Sequence, residues 1–301
     1  MIMLNHNLHI FIRVAEKGSI TETANELYIS QPAVSKAIKN LEEELNLKLF
    51  HRDRRKGLIL TEVGHEILLQ ARQMADLENR MYQTAFRSNN FIGGKVKIAA
   101  VPIVTNFCLA KVLYKFRQKY PYVTVELIEG SATAIKKAVE EHQVDFGISY
   151  SPFGNLDYEM IYKDYMIAVS KDELFKHTVV DLSEKPERFI LCQSGKEVTL
   201  ENLDINASFL AKSTIVEHAS TVLALAEEKN GIGIVSKLLA DITPNTLHQY
   251  PIEPAISSEI GIIAHDIKDL TPVAQELKRM IVEFTTENEN LSYSSYSPHI
   301  S

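Results

Sequence analysis

The stretch "LYISQPAVSKAIKNLEEEL", Leu27 to Leu45, gathers Ser30, Gln31, Pro32, Ser35, Lys36 and Lys39 ahead of an acidic run, Glu42 to Glu44. A glutamine amide can read base edges in a DNA major groove, and serine and lysine can reach bases and phosphates. A little further on, "LFHRDRRKGLILT" places Arg52, Arg54 and Arg55 in a basic turn between two short apolar runs. Guanidinium groups there would neutralise backbone phosphates, which adds affinity and salt dependence without sequence information. The chemistry these residue types share is nucleic-acid recognition. It works only if a scaffold holds the front of one helix and one basic turn out to solvent together.

The apolar pattern predicts that scaffold. Leu4, Leu8, Phe11, Ile12 and Ala15 recur at spacings of three and four, giving a helix with one buried stripe that stops near Lys17 and Gly18. Ser19 or Thr21 can cap a short second helix through Leu27. A third helix starts after Ser30, with Pro32 in its first turn and Asn46 as its left-handed terminator. On a helical wheel Val34, Ile38, Leu41 and Leu45 share one face with Ala37 beside them, while Pro32, Lys36, Lys39 and Glu43 lie opposite and Gln31 and Ser35 on the shoulder. Two short helices joined by the tight stretch Tyr28 to Ser30 make a helix-turn-helix, and the basic turn reads as a wing.

Bulk properties set this unit apart from the rest. The 301 residues suffice for two or three compact units, and the formal net charge of -7 argues against a protein coated with basic surface. Between Gln31 and Leu60, however, Lys36, Lys39, Lys48, Arg52, Arg54, Arg55 and Lys56 outnumber Glu42, Glu43, Glu44 and Asp53. The first residues lack a basic start followed by an apolar core, and no later run approaches the roughly 20 apolar residues of a membrane span. The expectation is a cytoplasmic protein without a membrane partner. Cys108 and Cys192 lie far apart among apolar neighbours, as buried thiols of a reducing compartment do.

The run "FIRVAEKGSITETANELYISQPAVSKAIKNLEEELNLKLFHRDRRKGLILTEVG", Phe11 to Gly64, closely resembles the N-terminal winged helix-turn-helix of LysR-type transcriptional regulators. The resemblance implies that Gln31, Pro32, Ser35, Lys36 and Lys39 belong to a recognition helix and Arg52 to the wing. Thr23 stands where the family usually has a second alanine and Asn46 where it usually has glycine, both sterically tolerable departures.

Thr61 can cap a long helix to about Ser88, about 40 Å in extent. In it Ile67, Met74 and Met81 repeat every seven residues with Leu77 between them, and Leu68, Ala71, Ala75 and Ala85 form a second strip. One small domain could not cover both strips, so a counterpart helix in another subunit is expected. The resemblance implies the same: a linker helix that pairs two DNA-binding units over two half-sites.

After "NNFIGG" the pattern alternates strand and helix: "KVKIAAV", a helix with Leu109, Val112, Leu113 and Phe116 inward, "YVTVELIEG", "ATAIKKAVEEH" and "VDFGISY". This predicts an α/β, doubly wound and largely parallel sheet whose ligand binds beyond the carboxyl ends of the strands. The rule selects Pro102, Val104, Thr105, Asn106, Ser131, Thr133 and Ser149, with Thr105 and Asn106 opening a helix whose free N–H groups favour an anion. A second such unit begins near Tyr165 and would add Gln193, Ser194, Lys196, His218 and Ser220 to a hinged cleft, with a helix from about Glu201 and a last one from Thr271 through Glu283. The arrangement resembles the two-lobed, periplasmic-binding-protein-like effector domain of the same regulators, in stretches such as "FRQKYPYVTVELIEG" and "AEEKNGIGIVS". The domain layout is therefore a winged helix-turn-helix at 1–60, a linker helix at 61–89 and an effector domain at 94–285. Lobe I takes 94–164 and 265–285, lobe II takes 165–264, and 286–301 is a polar tail expected to be disordered.

No catalytic constellation, metal site or cofactor site is read. "GIGIVS" lacks the third glycine of a dinucleotide fingerprint and precedes its strand, His65 and Glu66 do not form a zinc-binding HExxH, and no His and Asp can be placed beside Ser194. The reading is a ligand-responsive transcription factor, not an enzyme. Its partners are double-stranded DNA with a partly palindromic operator, a small polar or carboxylated effector, and its own copies as dimer or tetramer, with RNA polymerase a further candidate. Two rivals are a small-molecule-binding protein or enzyme whose N-terminal helices serve only assembly, and a thiol-based sensor using Cys108 and Cys192.

Overall fold

The computed structural model describes residues 6–53, 57–88, 93–174, 179–182, 188–193 and 212–292. The head begins with α1 (His6–Lys17), α2 (Ile20–Leu27) and α3 (Gln31–Leu45). Gly18 takes a positive φ of 62°, which lets the chain reverse, and the Ser19 hydroxyl then accepts the Glu22 N–H at 3.3 Å to cap α2. Tyr28 ends α2 in the left-handed conformation, Ser30 caps α3 by accepting the Ala33 N–H at 3.3 Å, and Asn46 ends α3 with φ 52°. Strand β1 (Phe50–Asp53) pairs antiparallel with β2 (Gly57–Leu60), and α4 (Glu62–Ser88) follows, capped by the Thr61 hydroxyl on the Gly64 N–H at 2.9 Å. The head's core joins Phe11, Val34, Ala37, Ile38, Leu41 and Leu49 to Leu68 and Ala71 of α4.

One position on the α3 wheel is corrected. Leu45 is 38% exposed, because that core ends at Leu41 and Leu49 and the last helical turn projects past it. Of the acidic run Glu42 to Glu44, Glu42 is buried and the other two are exposed.

The C-terminal module continues with β3 (Gly94–Ala100), α5 (Pro102–Val104), a π-helical turn (Thr105–Leu109), α6 (Ala110–Lys119), β4 (Val123–Glu129), α7 (Ala132–Glu140), β5 (Phe146–Tyr150) and the long β6 (Asp157–Ser170). Then come β7 (Val180–Asp181), β8 (Phe189–Cys192), β9 (Thr214–Val216), α8 (Ala219–Glu227), β10 (Ile232–Ser236) and α9 (Lys237–Ile242). Strands β11 (His248–Tyr250), β12 (Ile252–Glu253) and β13 (Ser257–Ala264) and helix α10 (Pro272–Ser292) complete it. The strands follow one another as β4-β3-β5-β13-β6-β10-β8-β9, with β11 also on β6. The sheet is parallel over β4-β3-β5 and β10-β8-β9, and antiparallel where β13 and β6 pass between them.

Strand β6 serves both lobes. Its first part pairs with β13 up to Tyr165, and from Met166 onward it pairs with β10. The return crossing falls earlier than the expected boundary at 264. Ser257–Ala264 lies between β5 and β6 in the first lobe, because Ile260 to Ala264 are buried without alternation, as only a central strand allows. The last helix, expected to end near Glu283, runs to Ser292, so residues 286–292 are helical and not a disordered tail.

Helix α4 docks on the first lobe through a polar stripe. The Arg72 guanidinium donates to Glu141 O at 3.1 Å, Gln83 donates to Lys95 O at 3.0 Å, and Gln83 Oε1 accepts the Val273 N–H at 3.0 Å. Near this junction Asp145 accepts the Lys97 N–H at 2.7 Å. Although part of Asp145 meets solvent, its carboxyl is enclosed, and burial raises its pKa to about 6. A folded pKa above the unfolded value of 3.8 means the folded state holds the proton more tightly, so stability falls as pH rises from about 4 through about 6. Melting measured from about pH 7.5 to about pH 5 should therefore show the unmodified protein gaining stability relative to Asp145→Asn as pH falls. A constant difference would contradict the assignment.

Candidate nucleic-acid interface and ligand cleft

Burial along α3 separates its two jobs. Val34, Ala37, Ile38 and Leu41 are buried, whereas Gln31, Pro32, Ser35, Lys36 and Lys39 are exposed. The five exposed residues therefore form one continuous polar surface on the N-terminal part of the helix. Ser30 stands at its edge, exposed but with its hydroxyl oxygen engaged as the cap. Lys39 meets Glu43 at 3.5 Å, an exposed pair one turn apart whose weak hold leaves the ammonium free to exchange partners. Arg52 is exposed on β1; Arg54 and Arg55 lie outside the described residues. Tyr28, which the sequence reading passed over, is 95% exposed in the turn between α2 and α3. Its signal was the left-handed turn position, which turns the side chain outward.

The second candidate site is the edge at which the parallel strands of lobe I end. Because β4, β3 and β5 are parallel neighbours, their carboxyl ends share one edge. There Val101 N–H donates to Ile148 O at 3.2 Å, Gly130 N–H to Ala100 O at 3.4 Å, and the Ser149 hydroxyl to Ala132 O at 3.5 Å. The carboxyl ends of β3, β4 and β5, where the predicted ligand residues lie, are thus brought together. Pro102, Asn106, Ser131 and Thr133 are exposed, with the Ser131 oxygen capping α7 through the Ala134 N–H at 3.2 Å. Thr105 is partly buried, and its Oγ1 is enclosed without a hydrogen-bond partner among the described residues. In the second lobe Gln193, His218 and Ser220 are exposed, His218 just before α8; Ser194 and Lys196 lie outside the described residues, as does the helix expected from Glu201.

Two expectations at this edge are corrected. Val104 has no exposed surface and packs into the lobe I core, so its side chain is not available to a ligand; Ser149 is likewise fully buried in this conformation. The helix opens at Pro102 rather than at Thr105, whose N–H already donates to Pro102 O. Thr105 instead starts a π-helical turn, an irregularity frequent at functional sites.

The lobes meet over Asp164, a residue sequence reasoning missed. This buried carboxylate on β6 accepts the Tyr150 hydroxyl of lobe I at 3.2 Å and the Leu238 N–H of lobe II at 3.2 Å. Burial raises both the Asp164 carboxyl and, well above its usual range, the Tyr150 hydroxyl. An acid opening the apolar run "DYMIAVS" was the only signal available. Cys108 is buried in lobe I with its thiol pushed up to about 12 by burial, so it supplies no thiolate near neutral pH; Cys192 is buried in the other lobe's core.

Family models place these two sites in known company. The model of bacterial regulatory helix-turn-helix proteins of the lysR family matches residues 5–65, and that of the LysR substrate binding domain matches residues 89–285. The chain belongs to the LysR family. This LysR-type transcriptional regulator carries a DNA-binding helix-turn-helix head and an effector-binding module. It is 42% identical over 285 residues to the uncharacterized HTH-type transcriptional regulator YoaU of Bacillus subtilis, covering 93% of this chain and 98% of the relative. Its fold matches that of a full-length OxyR variant from Pseudomonas aeruginosa with a TM-score of 0.68 at 16% identity over 93% of each chain. It also matches full-length CbnR complexed with its target DNA, with a TM-score of 0.56 at 19% identity, over 92% of this chain and 98% of that one. Among the described residues no helix of this regulator is long and apolar enough to cross a membrane.

Proposed function

We propose that this regulator reads a partly palindromic operator with the exposed front of α3, while a small polar or carboxylated metabolite in the cleft selects between lobe arrangements. The observation that carries the first half is the sharp division of α3 into a buried apolar stripe and an exposed surface of Gln31, Pro32, Ser35, Lys36 and Lys39. Gln31 and Ser35 read base edges, Lys36 and Lys39 reach bases or phosphates, and Arg52, with Arg54 and Arg55 following it in sequence, neutralises phosphates. CbnR bound to its target DNA shares this fold, which supports the docking mode.

Dimers, or dimers of dimers, place two heads on two half-sites. Met74, Leu77 and Met81, at 50%, 59% and 55% exposure on α4, form an apolar strip that no described residue fully covers and that a second copy fits. The effector acts only through different affinities for the two lobe arrangements. Thr105 Oγ1, enclosed and with no hydrogen-bond partner among the described residues, supports a ligand bearing hydrogen-bonding oxygen. The protein works as a binding protein and not as an enzyme, in keeping with relatives named as transcriptional regulators.

A gel-shift with genomic fragments tests the DNA half. Lys36→Glu should weaken retardation roughly ten- to a hundredfold, and Arg52→Glu should also lower the slope of log affinity against log salt by about one or more. Retardation unchanged by both variants would leave a ligand-binding protein whose helices serve only assembly. Calorimetry across organic acids tests the other half: heat is expected from a carboxylated ligand, and binding confined to apolar ligands would refute the effector class.

A further inference from the structure

Three consecutive acids stand just before the last residue of α3, yet only one is buried. Glu43 and Glu44 are exposed, whereas the Glu42 side chain keeps 10% of its surface. Its Oε1 accepts the backbone N–H of Leu49 at 2.9 Å and of Phe50 at 3.4 Å, and its Oε2 meets the Lys48 ammonium at 2.6 Å. Burial alone would raise this carboxyl, but the Lys48 ammonium and the two N–H groups outweigh it, and the group sits below its usual range. It is therefore a charged acceptor near neutral pH.

The peptide it holds is a crossroads. Leu49 is fully buried in the head's core, its N–H is taken by Glu42, and its carbonyl accepts the Thr61 N–H at 2.9 Å. The Thr61 hydroxyl donates to Lys48 O at 2.7 Å and at the same time caps α4. A Cβ on Gly64 would lie 2.3 Å from Leu49 O, so α4 is pressed against the same peptide. Phe50, the next residue, starts β1 and the wing. One carboxylate on α3 thus fixes where the wing leaves the head. The Lys48 ammonium contributes little to this, since its side chain is 78% exposed and the pair is largely solvated at that end. The backbone bonds carry the constraint.

We propose that Glu42 is a positioning residue for DNA binding, whose carboxylate sets the angle between the recognition helix and the wing and so lets Arg52 and the α3 surface engage one duplex together. The inference rests on the reading of α3 and the wing given above. It assigns Glu42 no contact with DNA.

The test uses the full chain and a genomic fragment that the unmodified protein retards, with hydroxyl-radical and base-methylation footprints and a salt series. Glu42→Ala should weaken binding about tenfold and lower the salt slope by about one to two phosphates, erasing wing-side backbone protections while central base protections persist. Glu42→Gln, which keeps an oxygen acceptor for the Leu49 N–H, and Lys48→Met should both stay within about threefold of the unmodified protein. Arg52→Ala is the reference. If it leaves slope and protections unchanged, the wing contact itself is refuted and the proposal falls with it; if it lowers the slope and Glu42→Ala does not, the role of Glu42 alone is refuted. Loss of central and wing-side protections together in both Glu42 variants would show a residue needed only for folding, and would equally overturn the proposal.

Discussion

The rotation of α3 about its own axis is the constraint on which this regulator's function depends. Burying Val34, Ile38 and Leu41 contributes about 1.5–3 kcal/mol each, so turning the helix to expose them would cost more than any surface contact could return. Once those three side chains are committed to the core with Phe11 and Leu68, the 3.6-residue period leaves no freedom for Gln31, Ser35 and Lys36, which must face solvent. The surface that α3 presents is thus a by-product of packing underneath. The caps at Ser30 and Asn46 then set where the presented surface begins and where the chain turns toward the wing.

The same economy joins the head to the ligand module. Helix α4 contributes Leu68 and Ala71 to the head's core and, further along, Arg72, Asn79 and Gln83 to hydrogen bonds with lobe I. A helix held at both ends transmits displacement as a rigid body. Within the module, β6 runs through both lobes and Asp164 ties Tyr150 on one side to the start of α9 on the other. A ligand that favours one lobe arrangement therefore acts against a defined anchor. If two α4 helices pair as proposed, they carry the difference to the spacing of two heads.

Much of this was legible in the sequence because it follows from local rules. Periodicity set the α3 stripe, and Gly18, Ser30, Asn46 and Thr61 marked element ends through backbone chemistry that needs no tertiary context. The α/β alternation set the strands and, through their parallel neighbours, the edge where Thr105, Ser131 and Ser149 gather. What escaped was decided by contacts distant in sequence. Leu45 sits on the apolar wheel face but beyond the core that would cover it, while Glu42 is buried because two N–H groups seven and eight residues on need an acceptor. Val104 shows the same limit, since a loop residue near a strand end can point either to ligand or to core. The position of β13 between β5 and β6 depends on pairing with strands far back in the sequence, which no local pattern encodes.

The central claim, that the front of α3 enters the groove, is tested most directly by photocrosslinking from its midpoint. With a photoreactive phenylalanine analogue in place of Ser35, irradiation of the retarded complex should yield crosslinks to base atoms within each half-site, at positions separated by about one helical turn or a multiple of it. Crosslinks confined to the protein's own chain or its partner copy, in a complex that still shifts the fragment, would contradict the account.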